Sequence, residues 1–487
     1  MHRFVFFLPL ILFFNLLAAQ TRLQSAIDQL AADPALNAQG FSMTVMDVES
    51  GSILAQHQKD RGLIPASSLK VVVTSTALAL LGDDFKFKTE LQYDGSIDQE
   101  GTLNGNLYIK GYGDPTLGSD QFEKTIPLDA LMDEFIAAIQ ATGIRRINGK
   151  IIGDASFFGT QVDGRTWLWE DLGNYYGAGA WGLNIHENKY FLTFQRSTKP
   201  GETPEIEKVE PHIPNLLHIN EVVQADKNSD DEAYIFGSVY NYTRFIRGTI
   251  PAGTEPFTIK GSIPDPPFFA AYYLMKKLEA QEIQTNKEAT SLFELEKTSG
   301  FKSKKRNVLH THYSPSLVDI IGITNLKSIN LYCEAMLRYL GKDKKGEGSA
   351  EAGIEVIYDY LKTKGFNTGS FFMEDGSGLS TFNTVSSFQL ATIMRLIAND
   401  KSLYTAFRPS LPVAGLSGGL KYMFRGTAAK GRIWAKTGGM KRVRSYTGYA
   451  ESKTGKLLAF SIICNHFTGE SSAMRKKMKK VMLAMVE

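Results

Sequence analysis

Cysteine is scarce in this chain of 487 residues, and its scarcity excludes the small folds that disulfides hold together. The two cysteines, Cys333 and Cys464, lie far apart and lack the C-x-x-C spacing of redox or zinc motifs. We interpret them as buried thiols. Their sequence context does not decide whether they pair.

A strong net charge is also missing. The 54 basic and 51 acidic side chains leave a formal net charge of +3. This balance argues against nucleic acid as the main partner. Two short basic clusters, at 302–306 and 475–480, are interpreted as solvated surface.

Long apolar runs are absent beyond the first 20 residues. The single run, Phe4–Leu17, follows Arg3 and precedes Ala18-Ala19-Gln20, which is the pattern of a secretory signal peptide over residues 1–19. A single-span anchor is the alternative, but the run is short for a membrane crossing. We therefore expect a periplasmic or secreted protein with no integral membrane span after signal removal.

The length suggests roughly two or three domains. Residues 20–86 predict a strand, turn and strand at Met43–His57 followed by a helix, and residues 307–487 predict helices followed by strands. Residues 87–306 contain short strand-like pieces and many turn residues, with one clear helix from Pro127 to Ile139. We predict an α/β (α+β) protein in which 87–306 is an inserted strand-rich region, forming two small domains. Within this region, Asn104-Gly105 predicts a hairpin between Gly101–Leu103 and Asn106–Lys110.

The most informative stretch runs from Pro65 to Gly82. Apart from Lys70 it carries no charge, so a helix here would be buried on every side. Ser67 would stand at the helix start, with Lys70 one turn later on the same face. Burial disfavours the ammonium, so Lys70 could accept a proton from Ser67 and activate it as a nucleophile. The alternative is a core helix that begins with a serine and has a snorkelling lysine.

Context separates this S-x-x-K from a second copy at Ser299–Lys302, which lies in a polar stretch that would not desolvate the lysine. Two further triplets complete a set. Ser328-Ile329-Asn330 is predicted to open a helix, and Lys436-Thr437-Gly438 to end a strand. A second K-T-G, at Lys453, is predicted to lie at a hairpin tip.

Two other kinds of site receive less support. Gly415-Leu416-Ser417-Gly418-Gly419 matches G-x-S-x-G, but it lacks the strand lead-in and the ordered acid and histidine of an α/β-hydrolase. His310-Thr311-His312 could present two imidazoles on one strand face, but no acidic ligand set accompanies them. We predict neither a metal nor a cofactor.

The ordered set S-x-x-K, S-x-N and K-T-G resembles that of the serine penicillin-recognising enzymes, which comprise penicillin-binding proteins and serine β-lactamases. The chain is most similar to the low-molecular-mass D-alanyl-D-alanine carboxypeptidase/endopeptidase family, which carries a large insertion between the first two motifs. Further segments share the resemblance: Gly111–Leu117, Gly149–Asp154, Asp375–Ser380 and Leu411–Gly415.

The resemblance implies a role for each motif residue. Ser67 would form the acyl-enzyme and Lys70 would accept its proton, while Ser328 would relay a proton to the departing amine. Asn330 would hold the peptide amide. The remaining roles are substrate binding, with Lys436 and Thr437 on the terminal carboxylate, Gly438 beside them, and the Gly439 N–H sharing an oxyanion hole with that of Ser67.

The implied fold has helices packed on an antiparallel sheet. The implied function is a serine-type D-Ala-D-Ala carboxypeptidase, with cleavage of D-alanyl cross-links as a second activity. Its partners would be peptidoglycan peptides and β-lactams. One departure concerns Gly439, because many relatives have Thr or Ser there and this chain lacks the hydroxyl. A catalytically idle module that binds penicillin or peptidoglycan is the alternative.

Overall fold

The structure, a computed structural model, describes residues 21–36, 40–122, 126–302 and 304–487. The predicted signal peptide, residues 1–19, lies outside the described residues. Within them, the helices in chain order are α1 (21–31), α2 (Lys70–Leu81), α3 (Leu128–Ala141), α4 (Trp169–Leu172), α5 (Pro266–Ala280), α6 (Leu292–Ser299), α7 (Leu317–Lys327), α8 (Asn330–Lys345), α9 (Ala350–Thr363), α10 (Ser387–Asn399), α11 (Lys401–Phe407) and α12 (Ser471–Ala484).

The strands follow the same order. They are β1 (Phe41–Asp47), β2 (Ile53–His57), β3 (Gly62–Leu63), β4 (Lys88–Tyr93), β5 (Ser96–Ile97), β6 (Thr102–Asn104), β7 (Leu107–Gly111), β8 (Arg146–Ile147), β9 (Ile151–Asp154), β10 (Lys189–Gln195), β11 (Glu205–Glu210), β12 (Leu217–Ala225), β13 (Tyr234–Phe236), β14 (Thr243–Pro251), β15 (Phe257–Ser262), β16 (Gln284–Thr285), β17 (Ala289–Ser291), β18 (Asn307–Tyr313), β19 (Val385–Ser386), β20 (Ile433–Met440), β21 (Val443–Glu451) and β22 (Leu457–Asn465).

The chain divides into two compact units. The first contains the described residues up to Asp83 together with Leu317–Ile329 and Ile354–Glu487. The second contains Asp84–Ser316 and Asn330–Gly353, so a segment from beyond the strand-rich region belongs to it.

A five-stranded antiparallel sheet, in the order β2-β1-β22-β21-β20, forms the centre of the first unit. The predicted hairpin of β1 and β2 is confirmed, since Val45 pairs with Ala55. Apolar side chains of α1 and α12 pack on one face of this sheet, among them Ile27 and Met478. The last helix therefore covers the sheet with its methionine stripe.

The uncharged run after Lys70 forms α2, which contacts α7, α10 and α11 of the same unit. Residues 71–78 are buried, as the absence of a polar face predicts. The last turn departs from this expectation because Ala79 is exposed. Gly82, with φ of 85°, ends the helix.

The second unit contains four of the sheets, with strand orders β11-β10-β15, β12-β14-β13, β16-β8-β6-β5 and β17-β9-β7-β4-β18. Its main core lies between these strands and the helices α3 and α5. The predicted helix from Pro127 to Ile139 is confirmed as α3, with Leu131, Phe135 and Ile139 buried on one stripe.

The predicted Asn104-Gly105 hairpin is wrong. Strand β6 pairs with β5 and β8, whereas β7 pairs with β4 and β9, so the chain passes from one sheet to another at this point. Asp94 fixes the crossing, because its Oδ1 accepts the Asn106 N–H at 2.7 Å and its Oδ2 accepts the Tyr108 hydroxyl at 2.6 Å. A short-range turn signal was outweighed by parallel pairing with distant strands.

Both cysteines are buried, and no disulfide joins them. Among the helices of the described ranges, none has both the length and the apolar character that a bilayer crossing requires.

Candidate active site

Ser67 and Lys70 meet in the first unit. Ser67 lies in a 3-10 turn, Ala66–Leu69, and the α-helix proper begins at Lys70, so Ser67 precedes the helix. Lys70 is completely buried, and its Nζ lies 2.9 Å from the half-buried Ser67 Oγ. The predicted pairing of hydroxyl and amine is therefore present in the structure.

A loop from the same unit supplies a second contact to the amine. Lys70 Nζ donates to the Ser377 carbonyl at 2.7 Å. The loop is shaped by Asp375, whose carboxylate accepts the N–H groups of Gly378 at 2.8 Å and Ser380 at 2.6 Å. Sequence reasoning noted Asp375–Ser380 as a family-like segment but missed that the Ser377 carbonyl would hold Lys70.

Close packing explains why this loop contains Gly378. Its φ is 79°, and a Cβ there would collide with the Ala66 carbonyl of the 3-10 turn. Only glycine combines that backbone conformation with such a close approach. The turn that carries Ser67 is therefore fixed from a loop more than 300 residues further along the chain.

Ser328 and Lys436 form a second pair in the first unit. Lys436 Nζ donates to Ser328 Oγ and to the Thr437 carbonyl, both at 2.8 Å. Lys436 is completely buried. Ser328 lies between α7 and α8 with φ of 61°, a left-handed conformation that costs about 1 kcal/mol or more for a residue with a side chain. The strain points to a functional placement of this hydroxyl.

The sequence predicted that the K-T-G triplet ends its strand, and this prediction is wrong. Strand β20 continues to Met440, and Thr437 and Gly439 pair with Tyr446 and Arg444 of β21. The strand continues because β21 supplies its backbone hydrogen-bond partners as far as Met440, a pairing that the local sequence did not reveal.

Gly438 marks where β20 meets the 3-10 turn of Ser67. A Cβ at this position would lie 2.6 Å from the Pro65 carbonyl oxygen and 2.9 Å from the Ser68 nitrogen. Distances this short exclude a side chain, so the glycine allows the K-T-G strand to pack directly against the turn that carries Ser67.

Asn330 belongs to the second unit, where it begins α8. The Asn330 Nδ2 donates to the Tyr176 carbonyl at 2.8 Å, and Asn330 is buried. The structure thus brings together Ser67 with Lys70 and Ser328 with Lys436 in one unit, and it places Asn330 in the other.

The side chains of the competing motifs make hydrogen bonds elsewhere in the structure. Ser299 Oγ donates to the Leu295 carbonyl within α6, and Ser417 Oγ accepts the Val413 N–H. His310 Nε2 and His312 Nδ1 lie 2.6 and 3.0 Å from one oxygen of Glu134. In the part of the chain that the structure describes, no group of three or more His, Cys, Asp or Glu is arranged to hold a metal.

The fold and these two pairs define a class of protein. The structure matches penicillin binding protein 4 (dacB) from Haemophilus influenzae with a TM-score of 0.79 and 23% sequence identity, over 94% of this chain and 97% of that one. The fold is therefore the mixed α/β penicillin-binding fold that the motif set predicted.

The family follows from the sequence. Residues 23–485 match the D-Ala-D-Ala carboxypeptidase 3 (S13) family, so the chain belongs to this family of serine-type carboxypeptidases. It is 29% identical to a D-alanyl-D-alanine carboxypeptidase of an Actinomadura species, over 93% of this chain and 82% of that protein. It is 26% identical to the D-alanyl-D-alanine carboxypeptidase DacB of Haemophilus influenzae, over 88% and 86%.

Proposed function

We propose that this enzyme removes the terminal D-alanine from peptidoglycan stem peptides through an acyl-enzyme on Ser67. The observation that carries the proposal is the 2.9 Å contact between Ser67 Oγ and the completely buried Lys70 Nζ. A buried amine is poorly solvated as a cation, so its neutral form is accessible and can accept the serine proton.

In the first half of the reaction, Ser67 Oγ bonds to the carbonyl carbon of the penultimate D-alanine while the Ser67 proton passes to Lys70. Collapse of the tetrahedral intermediate breaks the C–N bond, and the proton held by Lys70 passes through Ser328 to the departing amine, which returns Lys70 to its neutral form. The Ser328 hydroxyl suits this role because Lys436 donates to it at 2.8 Å, which leaves its own proton free to be given away. Water releases the acyl group in the second half.

The strand of Lys436 supplies the binding groups. Lys436 and Thr437 are assigned to the terminal carboxylate, and the N–H groups of Ser67 and Gly439 to the oxyanion. Support comes from Gly438, whose packing against Pro65 keeps the strand and the 3-10 turn close enough to serve one substrate. Asn330 is assigned to the peptide amide of the substrate.

D-alanyl cross-links are the second substrate class that we propose. In both substrates the attacked carbonyl belongs to D-alanine and the leaving group is an amine, so Ser67, Lys70 and Ser328 perform identical steps. β-Lactams present a carbonyl and a carboxylate to the same groups and would acylate Ser67. The proposed substrates and the signal-like sequence of residues 1–19 support a location in the periplasm or outside the cell.

Intact-mass measurement tests the proposal. Wild type should gain the mass of one benzylpenicillin and should release D-alanine from a peptide ending in D-Ala-D-Ala, whereas Ser67→Ala should do neither. Penicillin labelling without D-alanine release would instead favour the idle binding module. Labelling of Ser67→Ala at the wild-type rate would refute the nucleophile assignment.

A further inference from the structure

A guanidinium occupies the space next to the K-T-G motif that the missing hydroxyl leaves open. Gly439 and Arg444 are directly opposed across β20 and β21, so side chains at these two positions leave the same face of the sheet. Arg444 Nη1 lies where a Cβ at residue 439 would be placed. Arg444 therefore fills the space that a side chain at residue 439 would occupy.

Arg444 has no carboxylate partner among the described residues. Its Nε donates to the Ser471 hydroxyl at the start of α12. Burial lowers the pKa of Arg444, and the nearby charge of Arg475 lowers it further. A guanidinium remains charged in a protein, so this one is a half-buried cation beside a second cation. An anion bound here would offset both unfavourable effects.

We infer that the Arg444 guanidinium binds the terminal carboxylate of the substrate and replaces the hydroxyl that Gly439 lacks. This inference rests on the proposed carboxypeptidase reaction. Arg444 thereby becomes a specificity-determining residue, because it favours substrates whose leaving group carries a free carboxylate.

The hydrogen-bonding capacities of a hydroxyl and a guanidinium support the replacement of one by the other at a carboxylate. A serine or threonine hydroxyl gives a carboxylate one neutral hydrogen bond, whereas a guanidinium gives two parallel charge-assisted ones. Residue 439 lies two positions after Thr437, so both side chains project from the same face of β20. Gly439 leaves room for the guanidinium, and a larger residue would displace it. Glycine at 439 and arginine at 444 therefore form a matched pair.

Two peptides that differ only at their C-terminus separate this role from a structural one. One ends in D-Ala-D-Ala with a free carboxylate, and the other is its C-terminal amide. Arg444→Ala should lower kcat/KM for the acid by about 10- to 100-fold, the value expected for a charged hydrogen bond, and change that for the amide by less than about twofold. Lys441→Ala, which removes an exposed cation from the same hairpin, should affect neither peptide.

A rescue variant makes the test sharper. In Arg444→Ala, adding Gly439→Thr restores a hydroxyl in the vacated space and should recover most of the activity on the acid. In wild type, Gly439→Thr should lower activity, because the new side chain collides with Arg444. If Arg444→Ala does not fold, Arg444→Gln, which keeps the aliphatic stem, carries the same comparison of the two peptides.

The outcomes separate the two proposals. A wild type that releases no D-alanine from the acid peptide refutes the carboxypeptidase reaction. An active wild type with Arg444 variants that lose both peptides equally, or neither, refutes the role of Arg444 alone.

Discussion

Lys436 Nζ donates a hydrogen bond to Ser328 Oγ at 2.8 Å, and the serine that accepts it has a left-handed backbone with φ of 61°. The hydroxyl is thus held by a completely buried lysine at a position where the backbone is strained. Strain of this kind persists when the surrounding structure requires it.

Ser328 should therefore separate activity from stability. We expect Ser328→Ala and Ser328→Gly to lose turnover by about 10²- to 10⁴-fold, because both lack the proton relay. Ser328→Gly should nevertheless be more stable than Ser328→Ala by about 1 kcal/mol, since glycine adopts positive φ without penalty. Urea unfolding checks the order, and equal stabilities would contradict the strain argument.

Lys70 should act as a base and not only as a cation. Lys70→Arg keeps a positive charge near Ser67, but a guanidinium does not lose its proton in a protein. We expect acylation by penicillin to fall by at least about 10³-fold, comparable to the effect of removing a general base. Intact mass against time measures it. An arginine variant that acylates within tenfold of wild type would leave Lys70 with a purely electrostatic role.

Gly438 should not tolerate alanine. The added Cβ would lie 2.6 Å from the Pro65 carbonyl, so we expect Gly438→Ala to lose about 1–3 kcal/mol and to abolish acylation. Gly322→Ala is the matched control in the same unit. Gly322 lies within α7 with open space around its Cβ, so alanine there should stabilise the helix by about 1 kcal/mol. Thermal unfolding of both variants tests the opposite signs.

Asp265 should make stability depend on pH in the acid range. Burial raises its pKa from 3.8 to about 6, and its side chain caps α5 by accepting the Phe268 N–H at 2.9 Å. Between pH 3.8 and about 6 the folded state keeps a proton that the unfolded state has lost. The contribution of Asp265 to the free energy of unfolding therefore decreases as pH rises through this range. Above about pH 6 that contribution no longer changes with pH.

Asp265→Asn keeps the cap and removes the titration. Its stability relative to wild type should increase from pH 4 to 6, by roughly 1 kcal/mol per pH unit at most. Asp265→Ala, which loses the cap, should be about 1 kcal/mol less stable than Asp265→Asn at every pH. Urea unfolding at several pH values measures both differences, and a pH-independent gap between wild type and Asp265→Asn would contradict the burial effect.

Glu187 should be essential to the stability of the second unit. Its carboxylate accepts hydrogen bonds from Lys189 and Ser119, both at 2.5 Å, and from the Tyr332 hydroxyl at 3.0 Å. Glu187→Gln would leave the buried Lys189 with only the exposed Asp120, 3.9 Å away, as an acidic partner, and should cost up to about 3–5 kcal/mol. Adding Lys189→Met should recover much of that loss. Additive losses in the double variant would contradict the pairing.

Much of the site could be predicted because its residues carry local signals. The pairing of Ser67 with Lys70 follows from one helical turn in an uncharged run, and complete burial of Lys70 confirms the context that distinguished it from Ser299–Lys302. Spacing and polarity determine both features. They require no knowledge of distant contacts.

The missed features depend on residues far apart in sequence. The Ser377 carbonyl reaches Lys70 across 307 positions, and β20 extends past Gly439 only because β21 pairs with it. The Asn104-Gly105 turn failed for the same reason, since β6 and β7 each pair with a different remote strand. Local propensity does not encode such partners.

The boundary between the two units falls inside the second motif, between Ile329 and Asn330. Helix α8 supplies buried residues such as Tyr332, Met336 and Leu340 to the second unit, although its sequence lies outside Asp84–Ser316. An excised fragment of Asp84–Ser316 would therefore expose apolar surface, and a chain with that stretch deleted would keep an orphaned helix.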